Sequence, residues 1–124
     1  MRLIKYRLWD SKIKRYAAED YQFLISRTGD LWGAVGDWLG VHFNEDDGFE
    51  VEQYTGVNDV NGKPVYEGDI VKVYHQWIDE VGFAHGSFGL LPNRYHMFVS
   101  LSELDGAMRI LGNIHDSPEL LEAD

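Results

Sequence analysis

The run from Glu52 to Tyr74 constrains the fold of this 124-residue chain more than any other. Asn61-Gly62 predicts a type I′ turn, in which both central residues need φ > 0 and Asn and Gly bear that conformation most easily. Glu67-Gly68-Asp69 then leads into Ile70-Val71-Lys72-Val73-Tyr74, a β-branched and aromatic run that suits a half-buried pleated surface. A Gly-Asp corner feeding such a strand is a common opening of small β-barrels. These residues specify architecture and carry no reactive group of their own.

The rest of the chain repeats that grammar of short strands and frequent turns. Residues 3 to 9 read as a strand, Asp10-Ser11-Lys12 as a turn and 13 to 17 as a return strand. Tyr21, Phe23 and Ile25 alternate with Gln22, Leu24 and Ser26, the period of a half-buried strand. Thr28-Gly29-Asp30 is a hairpin turn whose partner strand is 31 to 35. Residues 36 to 40 break the pattern and read as irregular. Asn44 to Gly48 is an exposed acidic loop, 49 to 54 a strand, 55 to 68 an ordered loop, and 70 to 77 the clearest strand. On its parity His75 shares the face of Val71 and Val73 and closes one end of the core. Residues 79 to 90 read as a bent strand and turn, 95 to 99 and 108 to 114 as strands. Ser100 and Glu103 form a capping box, and Ser117-Pro118 starts a short helix over 118 to 122. The predicted class is all-β: an SH3-like small barrel over about 50–116, an N-terminal strand and hairpin extension over 1–49, and a short C-terminal helix. The whole is one domain, 1–124.

Three blocks carry a resemblance: Ile4 to Asp10, the Glu52 to Tyr74 segment, and Arg109 to Leu121. Together they resemble the YopX family, small proteins encoded by bacteriophages and prophages, with a weaker match over roughly 20 to 50. The resemblance implies an SH3-like fold and a phage or prophage setting. It implies no activity, cofactor or functional residue.

Composition narrows the function classes. There is no cysteine, which excludes disulfides and thiolate metal sites and suits the cytoplasm. The start of the chain lacks the apolar run of a signal peptide, and no stretch approaches membrane-spanning length. The bacterial cytoplasm is the expected location. The formal net charge is −10, which opposes non-specific nucleic-acid binding. Basic residues gather early (Arg2, Lys5, Arg7, Lys12, Lys14, Arg15), either as the watered side of outer strands or as a local nucleic-acid patch.

No constellation with reactive spacing emerges. Placing Gly62 at the sixth position of a calcium loop puts Val57 first and Gly68 last, and neither side chain coordinates a cation. Residues 44 to 47 concentrate oxygens, as a solvated loop does and a weak cation site would. His42, His75, His85, His96 and His115 fit no metal pattern, and there is no nucleophile elbow or phosphate loop. The expected sites are therefore catalytic, cofactor-binding and metal: none. Four tryptophans, Trp9, Trp32, Trp38 and Trp77, exceed what a small barrel buries easily. An exposed ring among acidic residues suits a protein interface; satellite packing onto the barrel is the plainer account. The expected function is a non-enzymatic phage or prophage accessory protein that binds protein or itself as a homo-oligomer, with no membrane role. The alternatives are a nucleic-acid-associated barrel using the basic strands, or an acidic DNA mimic that inhibits a host protein.

Overall fold

A computed structural model describes residues 3–35 and 38–122. Among them run twelve strands: β1 Tyr6–Asp10, β2 Arg15–Tyr16, β3 Phe23–Ile25, β4 Leu31–Val35, β5 Trp38–Phe43, β6 Phe49–Asn58, β7 Pro64–Tyr66, β8 Asp69–Val73, β9 Trp77–Ala84, β10 Ser87–Leu90, β11 Val99–Ser100 and β12 Met108–Asn113. Helical structure among the described residues is confined to 3-10 segments, Glu45–Asp47, Leu101–Glu103 and Pro118–Glu122. The protein is all-β, with curled sheets that form a half-barrel. No helix among the described residues is long and apolar enough to cross a membrane. Two compact units divide the chain: Arg7–Val51, and Met1–Tyr6 together with Glu52–Asp124.

The larger unit is built on an antiparallel sheet in the order β11-β10-β9-β8-β12. Its core is Val65, Val71, Val73, Val81, Leu90, Leu101, Leu104 and Met108. Val71 and Val73 are 0% and 2% exposed while Lys72 between them is half-buried, as the two-residue strand period requires. β8 ends sooner than its propensities suggest. Tyr74 and His75 both adopt positive φ (51° and 61°), and the Gln76 N–H donates to the Val73 carbonyl at 2.9 Å. His75 is therefore exposed in a turn and does not close the core. The Tyr74 N–H donates to the Ala107 carbonyl at 3.0 Å, a tertiary bond that helps hold this disfavoured backbone. A tight turn with two positive φ values does occur at His85-Gly86 (53° and 79°), which joins β9 to β10.

In the Glu52 to Tyr74 run, the signature segment, residues expected as a loop over 55 to 68 belong to a hairpin of β6 and β7, with Tyr54 opposite Tyr66 and Asn58 opposite Pro64. Gly62 has φ +81° but Asn61 does not have positive φ, so the expected type I′ turn is instead a turn closed from Gly62 N–H to the Asp59 carbonyl, 3.0 Å. Asp59 organises it. Its Oδ1 accepts the N–H groups of Asn61 and Lys63, both at 2.9 Å, and its Oδ2 accepts that of Ile110 on β12 at 3.2 Å. Asp69 Oδ2 accepts Tyr66 N–H at 2.8 Å, and Glu67 Oε1 accepts Gln53 N–H at 2.8 Å. Gly68, at φ +89°, is glycine for two reasons: a side chain resists that backbone, and a Cβ there would meet Glu52 Oε2 at 2.7 Å. Asp59, Glu67 and Asp69 thus serve as backbone acceptors.

The smaller unit pairs β1 with β2 (Trp9 opposite Tyr16) and forms an antiparallel sheet in the order β3-β4-β5. Leu8, Leu31 and Phe43 are its core, with Tyr21, Phe23, Ile25, Val41, Phe49 and others packed against them. The stretch expected to be irregular is strand from Trp38 onward; residues 36 and 37 lie outside the described residues. In the acidic loop Asn44 Oδ1 accepts Asp46 N–H at 2.9 Å, and Asp47 Oδ2 accepts Asn44 N–H at 2.7 Å, a capping box around a 3-10 turn. Ser100, by contrast, makes no side-chain cap, and 95 to 98 are not strand.

Candidate functional site

The four tryptophans have separate fates. Trp9 is 5% exposed and packs edge-on against Tyr16 with ring centroids 5.0 Å apart, so it is a packing residue and offers no face to a partner. Trp38 lies on β5, and its side chain falls outside the described residues. Trp32 and Trp77 are exposed, one in each unit.

Trp32 stands on the outer face of the β3-β4-β5 sheet. Its register partners are Leu24 on β3 and His42 on β5, so the three side chains form a row across the strands. Alternation produces the row: Phe23, Ile25, Leu31 and Phe43 turn to the core, which leaves Leu24, Trp32 and His42 pointing away. Leu24 is 71% exposed and Trp32 38%. The Trp32 and His42 rings lie 4.8 Å apart.

Trp77 opens β9 in the larger unit and lines a cavity of about 720 Å³ with Lys72, Asp79, Arg94, Tyr95, His96 and neighbouring residues. Asp79 shares the inward parity of Val81 and is 2% exposed. Its Oδ1 accepts from His96 Nε2 at 2.6 Å and from Asn93 Nδ2 at 2.7 Å. Asn93 Oδ1 in turn accepts the N–H groups of Tyr95 (2.8 Å) and His96 (3.2 Å), which folds the 93–96 segment into a tight turn. The other nitrogen of His96, Nδ1, lies 2.6 Å from the Met97 carbonyl. A carbonyl only accepts, so the bond to Met97 is donated by Nδ1–H, and the protonated ring donates from Nε2 to the Asp79 carboxylate as well. The bond to Met97 raises the His96 pKa above its ordinary value; Asp79 adds to this, while burial opposes it. Asp79 Oδ2 is buried and has no hydrogen-bond donor among the described residues.

Sequence reasoning singled out Trp77 and missed Asp79, Asn93 and His96, which lie up to 17 positions apart. One local signal exists: on the period of β9, a carboxylate at 79 falls on the same side as Val81 and so points inward. Among the other histidines, His115 Nε2 lies 2.8 Å from Glu52 Oε2, a pair adjoining Gly68 that helps fix the signature corner. His85 packs its ring 5.5 Å from that of Phe98.

Comparison with known proteins matches these features to one family. A family model described as YopX protein matches residues 5–122. The crystal structure of protein EF1440 from Enterococcus faecalis superposes with a TM-score of 0.65 at 25% identity, covering 98% of this chain and 99% of that one. The X-ray structure of protein yopX from Bacillus subtilis gives a TM-score of 0.67 at 24% identity, covering 100% and 99%. No curated protein matches in sequence.

Proposed function

The chain belongs to the YopX family, and on that premise we propose that it is a non-enzymatic phage or prophage accessory protein that acts in the bacterial cytoplasm by binding another protein. The observation that carries this reading is the row Leu24–Trp32–His42, in which a large aliphatic side chain and an indole stand exposed side by side on one sheet face. Trp is enriched at interface hot spots, and a ring flanked by a large aliphatic side chain is the usual anchor. The net charge of −10 favours a partner with basic surroundings to its own apolar patch over a second copy, which long-range repulsion disfavours.

Two features support the absence of catalysis. His96 has both nitrogens engaged and so holds no free lone pair for a general base. The carboxylates of Asp47, Asp59, Glu67 and Asp69 accept backbone N–H bonds. Acids used in this way also weigh against DNA mimicry, which needs outward, phosphate-spaced charge.

The test is affinity capture from host extract with the native chain and with a Leu24→Asp/Trp32→Ala variant of unchanged melting temperature. A protein retained by the first and lost by the second supports the reading. Sedimentation at several concentrations identifies the case in which that protein is a second copy. Identical capture by both chains overturns it.

A further inference from the structure

The cavity beneath Trp77 combines three kinds of group that rarely meet by packing alone. Exposed rings stand at its mouth, Trp77 at 50% and Tyr95 at 67%. Cationic Lys72 and Arg94 line it, the Arg94 guanidinium lying 4.9 Å over the Tyr95 ring, with Glu122 the acid beside them. Inside sits Asp79, whose Oδ2 has no donor among the described residues although the residue is 2% exposed. A buried carboxylate oxygen left unpaired is costly, so a fold keeps one where something else supplies the donor.

Each simpler occupant fails on one of these groups. An apolar ligand leaves Oδ2 unpaired. A cation meets Lys72 and Arg94 at the mouth and an Asp79 whose Oδ1 is already held by His96 and Asn93. A bare anion uses the cations and nothing else. A ligand with a planar face, an N–H donor on its edge and a negative group at the other end uses all three.

We propose that this cavity binds a nucleotide, with its base stacked on Trp77, a base N–H or amino group donating to Asp79 Oδ2, and its phosphate beside Lys72 and Arg94. The volume of about 720 Å³ lies within the roughly 300–1,000 Å³ typical of small-molecule pockets. Oδ2 is covered in this structure, so the proposed contact requires the groups over it to move aside as the base enters; Asn93 and His96 hold the other oxygen, Oδ1. The nucleotide is either free or at the end of a single strand; a duplex is disfavoured by the acidic chain. None of these residues belongs to the Leu24–Trp32 face, so the protein-binding reading and this one stand or fall separately.

Calorimetric titration of the full chain with the four ribonucleoside monophosphates, the matching nucleosides, a short single-stranded oligonucleotide and inorganic phosphate tests the proposal. The expected result is saturable binding of at least one nucleotide below about 1 mM. Trp77→Ala is expected to weaken it by roughly fivefold to a hundredfold, the usual loss of one stacking platform. Lys72→Gln is expected to weaken the nucleotide and leave the nucleoside unchanged, and Asp79→Asn to reduce discrimination among bases. If Asp79→Asn fails to fold, the exposed positions Trp77 and Lys72 carry the test. Tighter binding of the oligonucleotide than of the monophosphate assigns the strand end, and the reverse assigns the free nucleotide. No saturation by any nucleotide or by the oligonucleotide at about 1 mM, phosphate binding as well as nucleotides, or an unaffected Trp77→Ala variant overturns it.

Discussion

Asp59 and Asp79 are both buried carboxylates of the larger unit, 6% and 2% exposed, and they are used in opposite ways. Asp59 spends both oxygens on backbone N–H groups, three of them, from its own hairpin and from β12. Burial alone would raise its pKa, but those bonds and nearby Lys63 outweigh burial and hold it below the ordinary aspartate value. Asp79 gathers its donors on one oxygen, from two side chains, and leaves the other with none among the described residues. An acid whose partners are main chain is part of the scaffold. An acid whose partners are side chains on a 93–96 turn, with one oxygen to spare, is the kind that the proposed nucleotide pocket uses.

The contrast can be broken most directly at Asp59. Asp59→Asn replaces one acceptor with a donor facing backbone N–H groups and is expected to cost roughly 2–4 kcal/mol, read from urea unfolding. Gly62→Val, at φ +81° with open space around its Cβ, introduces backbone strain alone and is expected to cost about 1–2 kcal/mol. Asp79→Asn should cost less, about 1 kcal/mol, because its donors are the side chains of Asn93 and His96, which reach water, so no backbone N–H is stranded. Equal losses at 59 and 79 would erase the distinction.

The smallest effect is in the pH profile. His96 has a raised folded pKa, so its contribution is fully present below the unfolded value of about 6.5 and is lost as pH rises through the folded value. Asp59 behaves in the reverse sense: its contribution is present above about 3.9 and is lost as pH falls through its lower folded pKa. A melting-temperature series should therefore show an alkaline decline that His96→Gln removes and an acid decline that it leaves intact.

What the sequence revealed follows the same line. Period-two burial in β8, the turn glycines and the hairpin at 28–30 are local, and local chemistry announces them. The early end of β8 was hidden, because Tyr74 and His75 favour strand in isolation and turn against that preference, with a bond to Ala107 beyond the reach of any local pattern. The type I′ reading of Asn61-Gly62 failed for a related reason: Asp59, two residues earlier, captures the turn's N–H groups and sets its geometry. The Asp79–Asn93–His96 cluster was least legible, since it exists only once β9 and the 93–96 turn are brought together. Family resemblance added the fold and was silent on all three residues.

The bond from Ile110 N–H to Asp59 joins positions 51 apart. Closing a loop of that length costs roughly 3–4 kcal/mol of chain entropy, before any constant term, whereas the β8–β9 and β9–β10 hairpins close over a few residues. On loop-closure entropy, the meander is expected to form before β12 docks onto the signature hairpin. Time is therefore the quantity that Asp59 governs. In a chevron analysis Asp59→Asn should leave the folding arm nearly unmoved and speed unfolding, so that this carboxylate sets how long the native state lasts and has little say in how fast it appears.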